Sequence, residues 1–171
     1  ISPAEPRIIG GALVIPVGML RSDAMDDSPF HLGDRRSIEL AGMRAVTSIE
    51  RSLGYEPEDV SAENVGYDIE SRVPARLRDG EGNVLRMIEV KGRVEGVDTV
   101  IVSHNEVLCA LNNPDGFILA IVMVDGNTTR TTYIRRPFVN PPDYSVTSTV
   151  YDIAKLKRTG EVILEKEETW Q

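Results

Sequence analysis

The chain has 171 residues, 41% of them hydrophobic, a formal net charge of -8 and a single cysteine. This suits one domain with a sizeable core. Cys109 cannot form an internal disulfide, and the acid excess opposes non-specific attraction to nucleic acid, which needs lysine and arginine to replace counterions along the phosphates. No run of about 18 apolar residues exists and the start is not leader-like, so the sequence predicts a cytoplasmic protein with no membrane contact. It begins with isoleucine, from which a fragment of a longer protein is expected.

In chain order, residues 1–33 read as a linker or docking segment: prolines and an apolar stretch, then an acidic, turn-rich loop. From 34 to 53, Ile38, Gly42, Ala45, Ile49 and Leu53 recur at helical spacing, with Asp34 or Ser37 as N-cap and Gly54 as the stop. After a polar connection, residues 65–70 alternate as a half-buried strand, with Asp68 and Glu70 on its polar face. Residues 79–83, Asp-Gly-Glu-Gly-Asn, predict a turn into a hairpin partner over 84–91 that is apolar on both faces and so central to a sheet.

Residues 99–102 form a short strand, and Ser103 with Glu106 fits a capping box opening a helix to about Leu111. The apolar run 117–124 predicts a buried strand, and 128–134 its hairpin partner. A proline-rich loop (137–143), a strand (144–151), a helix capped by Asp152 (152–158) and a charged tail (161–171) complete the chain. The domain proper is therefore expected over 34–160, as an α/β fold with a mixed central sheet flanked by helices.

The stretch Met87-Ile88-Glu89-Val90-Lys91-Gly92 is the most informative. Glu89 and Lys91 share one face of their strand, and a hairpin would bring Asp68 beside them. Two close carboxylates repel, and a divalent cation is the usual way to keep both ionised. Hard oxygen ligands of this kind, with the Val90 carbonyl as a third, suit Mg²⁺ or Mn²⁺. Lys91 is then placed to serve an attacking water and a charged phosphate, and Gly92 lets the strand bend or a backbone approach. The other reading is an exposed Glu-Lys pair of little energy. The residues by themselves leave both open.

Leu53-Gly54-Tyr55, Gly66-Tyr67-Asp68-Ile69-Glu70, Ile88-Glu89-Val90-Lys91-Gly92 and Ser103-x-Asn105-Glu106, followed by the strand 117–124, together resemble the DUF3883 family, also called the NO VEIN C-terminal domain. That family is placed in the PD-(D/E)xK nuclease superfamily. The resemblance covers about residues 36–125 and implies a restriction-endonuclease-like core. In it Asp68 and Glu89 would hold Mg²⁺ or Mn²⁺ and Lys91 would serve the water. No proline precedes Asp68, so the literal PD is unfilled.

The resemblance also makes Glu39 a metal-positioning candidate, alongside its reading as a first-turn charge, and Asn105 a site candidate. Glu106 is explained by its cap, Glu50 by solvation and Tyr67 by packing. Residues 10–16 resemble the segment before this domain in SNF2-type helicases. The expected function is thus a DNA endonuclease-like phosphodiesterase joined to the helicase domains of its parent chain, in restriction, defence or repair. The alternative is a non-cleaving nuclease-fold module that contacts DNA or a partner. The ten basic residues from Arg35 to Arg93, and Arg130, Arg135 and Arg136, could form two basic faces.

Overall fold

A computed structural model describes residues 32–78 and 84–170, within the compact unit Leu32–Gln171. The linker expected over 1–33, His31, the helicase-like stretch 10–16 and the turn 79–83 fall largely or wholly outside the described residues.

Helix α1, Leu32–Ser52, begins two residues earlier than its periodicity predicts, so Asp34 and Ser37 lie inside it and are not its cap. It stops as expected. Gly54 takes φ +81, its N–H donates to Arg51 O and the Tyr55 N–H to Glu50 O, a pairing that satisfies the last carbonyls with a left-handed residue where no Cβ intrudes. The strand β1, Glu56–Asp59, occupies what reads as a polar connection.

Strand β2 spans only Ile69–Arg72, shorter than the alternation over 65–70 predicts. Gly66 at φ +94 interrupts the extended backbone ahead of it. Strands β3 (Leu85–Val94), β4 (Thr99–Ser103), β5 (Phe117–Asp125) and β6 (Thr128–Arg135), with helix α2 (His104–Asn112) between β4 and β5, follow the expected order. Then come β7 (Ser148–Asp152), the Asp152-capped helix α3 (Ile153–Thr159), and β8 (Glu161–Thr169).

The last of these is a correction. Most of the segment expected to be a charged tail is a strand, paired antiparallel with β6 from Thr128↔Thr169 to Arg135↔Glu161. Glu161, Glu165 and Glu167 are exposed, Glu168 is largely withdrawn from solvent, and Ile163 and Leu164 pack on the core.

Six strands form one sheet in the order β1-β2-β3-β5-β6-β8, and β4 pairs with β7 in a separate ribbon. The β3–β5 pair is parallel and its neighbours antiparallel, so the fold is α/β with a mixed central sheet. The parallel pair needs a crossover, which β4 and α2 provide. Even-numbered positions of β3 face α1, where Ile88 packs with Ala45, Val46, Ile49 and Ile69. The odd face meets α2 and β4, where Met87 packs beside Val100, Val102, Val107 and Phe117. Each fully buried isoleucine or phenylalanine here contributes about 1.5–3 kcal/mol.

α1 crosses β3 at two glycines. A Cβ on Gly92 would sit 2.7 Å from the Ile38 carbonyl oxygen, and one on Gly42 would lie 3.3 Å from Val90 Cγ1. Of the two roles expected for Gly92, close backbone approach is the one the fold uses, and it draws the first half of α1 down beside the end of β3. Among the described residues, no helix is long and apolar enough to cross a membrane.

Candidate functional site

β2 pairs with β3 only from Leu85 to Ile88. Among the described residues, no strand lies beside the β2 side of β3 beyond Ile88, and the last ladder contact is the Asp68 N–H to Ile88 O, 3.0 Å. Asp68 continues the pairing with its side chain, for its Oδ2 accepts the Val90 N–H at 2.9 Å. The register therefore sets Asp68 across from Glu89, as the hairpin spacing predicts. Because N–H and C=O of one strand residue point the same way, the Val90 carbonyl is directed out of this same edge.

Glu89 and Lys91 are not an exposed pair. Their side chains are 5% and 14% accessible, and the Lys91 Nζ bonds Glu89 Oε1 and, at 2.8 Å, Glu106 Oε2. Glu106 was legible as a helix cap and is one: its Oε2 accepts the Ser103 N–H at 3.0 Å and its N–H donates to Ser103 Oγ at 3.3 Å. The same carboxylate also anchors the lysine. Only the second role escapes the sequence, since nothing in the Ser-x-x-Glu spacing points at a residue fifteen positions upstream.

These groups line a cleft of about 500 Å³ with Glu39, Arg36 and Asp59. Glu39 stands two turns into α1, which removes the first-turn charge reading and sets it at the cleft wall. Asp59 was missed because its strand is spelled Glu-Pro-Glu-Asp, without an apolar period; its Oδ1 accepts from the Ser61 N–H and hydroxyl. Asn105 is exposed and lines an adjoining hollow of about 140 Å³ with Tyr67, Asp68 and Glu89. Tyr67 packs against the core while its hydroxyl donates to Glu70 at 3.2 Å.

Burial dominates the electrostatics. It lifts the Glu89 carboxyl from 4.5 to about 8, against the pull of Lys91 and with the push of Asp68 and Glu106. Burial also raises Asp68, opposed by the Val90 N–H and Lys91. For Glu106 burial works upward too, but Lys91 and Ser103 outweigh it and its pKa falls. Lys91 is desolvated, yet Glu89 and Glu106 hold its pKa above the ordinary value. Lys91 and Glu106 thus favour each other's charged forms, and Glu89 is the carboxyl of the cluster that burial holds toward its neutral form.

Acidic residues outnumber basic ones five to three around the cleft. A cation would relieve that excess. The donors available for one are the Asp68 and Glu89 carboxylates and the Val90 carbonyl, a hard-oxygen set of the kind Mg²⁺ accepts together with its waters, so the residues fit such an ion. Among the described residues, no group of three or more His, Cys, Asp or Glu side chains is arranged to hold a metal by itself.

Glu50 departs from the sequence reading. It is fully buried and not solvated, and its Oε2 and Oε1 accept from Arg86 Nε and Nη2 at 2.9 and 3.0 Å. The Arg86 guanidinium lies 5.0 Å from the Tyr55 ring centre and 5.9 Å from that of Tyr133. Arg86 is therefore spent inside the fold. Of the second expected basic face, Arg130 pairs with Glu95 and Glu167, Arg135 with Glu161 and Arg136 with Asp115. His104 Nδ1 lies 3.0 Å from the Val146 carbonyl, a structural contact.

The family model described as Protein NO VEIN, C-terminal, matches residues 38–134, the span that carries α1, β2, β3, α2 and β5. The chain belongs to this family, as its motifs indicate. No curated protein and no solved structure is found to match it.

Proposed function

We propose that the domain is a metal-dependent phosphodiesterase of the PD-(D/E)xK nuclease kind, acting on DNA. One observation carries the reading: Asp68, Glu89, the Val90 edge and Lys91 meet at the open end of a buried strand, at the wall of a cleft. Asp68 and Glu89 would hold Mg²⁺ or Mn²⁺ together with the Val90 carbonyl. The ion supplies Lewis acidity toward a phosphoryl oxygen and toward water. Lys91 has three N–H donors, of which Glu89 and Glu106 take two; the third orients the attacking water and balances charge gathering on the phosphate. Glu39, which lines the same cleft, would add a further carboxylate near a bound ion, and Asn105 borders the adjoining hollow.

A cytoplasmic site of action, and a helicase-bearing parent chain active in restriction, defence or repair, belong to the same proposal. The helicase part draws on residues 10–16.

A second reading is a non-cleaving module that contacts DNA or a partner; the acid excess of the cleft favours it over cleavage, because without a held cation the cleft opposes seating a phosphodiester at Lys91. Calorimetric titration with Mn²⁺ and plasmid nicking separate the two. The nuclease reading expects Mn²⁺ binding that weakens in Asp68→Asn and Glu89→Gln, with nicking lost in Lys91→Ala. Metal binding without Lys91-dependent nicking would establish the second reading and overturn the first.

A further inference from the structure

Along α1, Arg36, Leu40, Met43, Arg44, Thr47 and Arg51 follow one another at spacings of three, four or one, which makes a single outward stripe. The end of this stripe that carries Leu40 and Met43 lies in the Asp68–Lys91 cleft. The remainder lines a second groove of about 490 Å³ that shares Leu40, Met43 and Asp59 with the cleft and is also lined by Trp170. The two hollows are therefore continuous.

Trp170 is held at the end of β8 by its N–H to the Asn127 carbonyl, 2.8 Å, and remains 40% exposed, as Leu40 remains 47%. Among the described residues, Arg36, Arg44 and Arg51 make no ion pair, whereas Arg130, Arg135 and Arg136 all do. In an acidic protein, two guanidiniums, Arg44 and Arg51, without an ion pair among the described residues and in one groove with an exposed indole, followed along the same stripe by Arg36 at the cleft, are a directed arrangement of charge and aromatic surface.

We propose that this groove is a track for single-stranded DNA, which enters past Trp170 and runs along α1 into the cleft. Arginines 44 and 51 neutralise phosphates, while Trp170 with the Leu40 and Met43 floor takes an unpaired base. A duplex offers its backbone and base edges but no exposed base face, so an exposed indole in one groove with two arginines suits an unpaired strand. From Arg36 to Arg51 the helix rises about 22 Å, room for roughly six nucleotides at the ~3.4 Å step of a stacked strand. The inference rests on the reading of the cleft as a phosphodiester site and extends it by naming the form of the substrate.

Binding without chemistry tests it. Fluorescence anisotropy of a labelled oligo(dT) spanning the groove is measured in EDTA against the whole chain, so that cutting and metal play no part. Trp170→Ala is expected to weaken binding at least about fivefold, and Trp170→Phe to retain most of it. The Arg44→Ala, Arg51→Ala double variant should lower the slope of log affinity against log salt by about 1.4. Arg158→Ala, on the exposed face of α3, should leave binding as it is. Circular dichroism establishes that each variant is folded.

No binding of the oligomer, equal affinity for a blunt duplex, or an affinity unmoved by Trp170→Ala each overturns the track. Displacement by poly-glutamate as effective as by unlabelled oligo(dT) also overturns it, since the groove would then answer to charge alone. A failed track leaves Lys91-dependent nicking to be judged by itself, and failed nicking leaves the EDTA binding result standing.

Discussion

On one face of β3, Arg86 meets Glu50. On the other, Lys91 meets Glu89 and Glu106. The two clusters lie within six residues of one another and are similarly withdrawn from solvent, with side-chain accessibilities of 17% and 0% against 14%, 5% and 18%. Burial does not separate them; balance and closure do. The Glu50 pair is one cation to one anion, bidentate and roofed by two tyrosine rings. The Lys91 cluster sets one cation against two carboxylates with a third, Asp68, alongside, and it opens on a cleft. The first is a satisfied pair inside the fold, and the second leaves carboxylate charge unmatched at an open cleft.

Breaking the closed cluster should have the largest effect on stability. Arg86→Met leaves the Glu50 carboxylate buried and unpaired, and denaturant unfolding should register a loss of about 3–5 kcal/mol. Adding Glu50→Gln to it should restore a good part, because the uncompensated charge is then gone. Next comes the glycine crossing that seats α1 on β3. Gly92→Ala forces a Cβ against the Ile38 carbonyl and should lower stability by about 1–3 kcal/mol.

In the open cluster the sign reverses. Glu89 titrates near 8 when folded and near 4.5 when unfolded, so the native state binds the extra proton. Stability therefore falls as pH rises through that window. In EDTA, Glu89→Gln should match the wild type near pH 4 and exceed it above pH 8 by about 1–2 kcal/mol, a margin reduced because Lys91 loses one of its two partners. Equal pH profiles for variant and wild type would mean that burial does not hold Glu89 toward its neutral form. Smallest is the cap: Ser103→Ala should cost about 1 kcal/mol. Because Glu106 both caps α2 and anchors Lys91, that variant should weaken nicking as well as lower Tm.

Much of this was legible where the signal is local. The apolar run of β5, its β6 hairpin, the Ser103 capping box and the Asp152 cap all depend on neighbours within a few positions, and each took its expected place. What escaped depends on distant partners. β1 and β8 carry mostly charged residues and exist through backbone pairing to β2 and β6, which leaves no apolar period to read. Glu50 read as solvated because its counter-ion stands 36 positions away. At the candidate site, Asp68, Glu89 and Lys91 were found because hairpin distance is short in sequence, while Asp59 and the second role of Glu106 required the fold.

The Asp68 to Val90 bond has a consequence for how such domains are spelled. The aspartate grips the backbone of the middle residue in Glu-Val-Lys and not its side chain, so that position is bound by a grammar of amides. Packing beneath Gly42 asks of it only an apolar side chain of modest size, and the aspartate asks only for a hydrogen on nitrogen. Proline is the one letter that silences it: Val90→Pro would keep both charged neighbours in place on paper and still set Asp68 adrift.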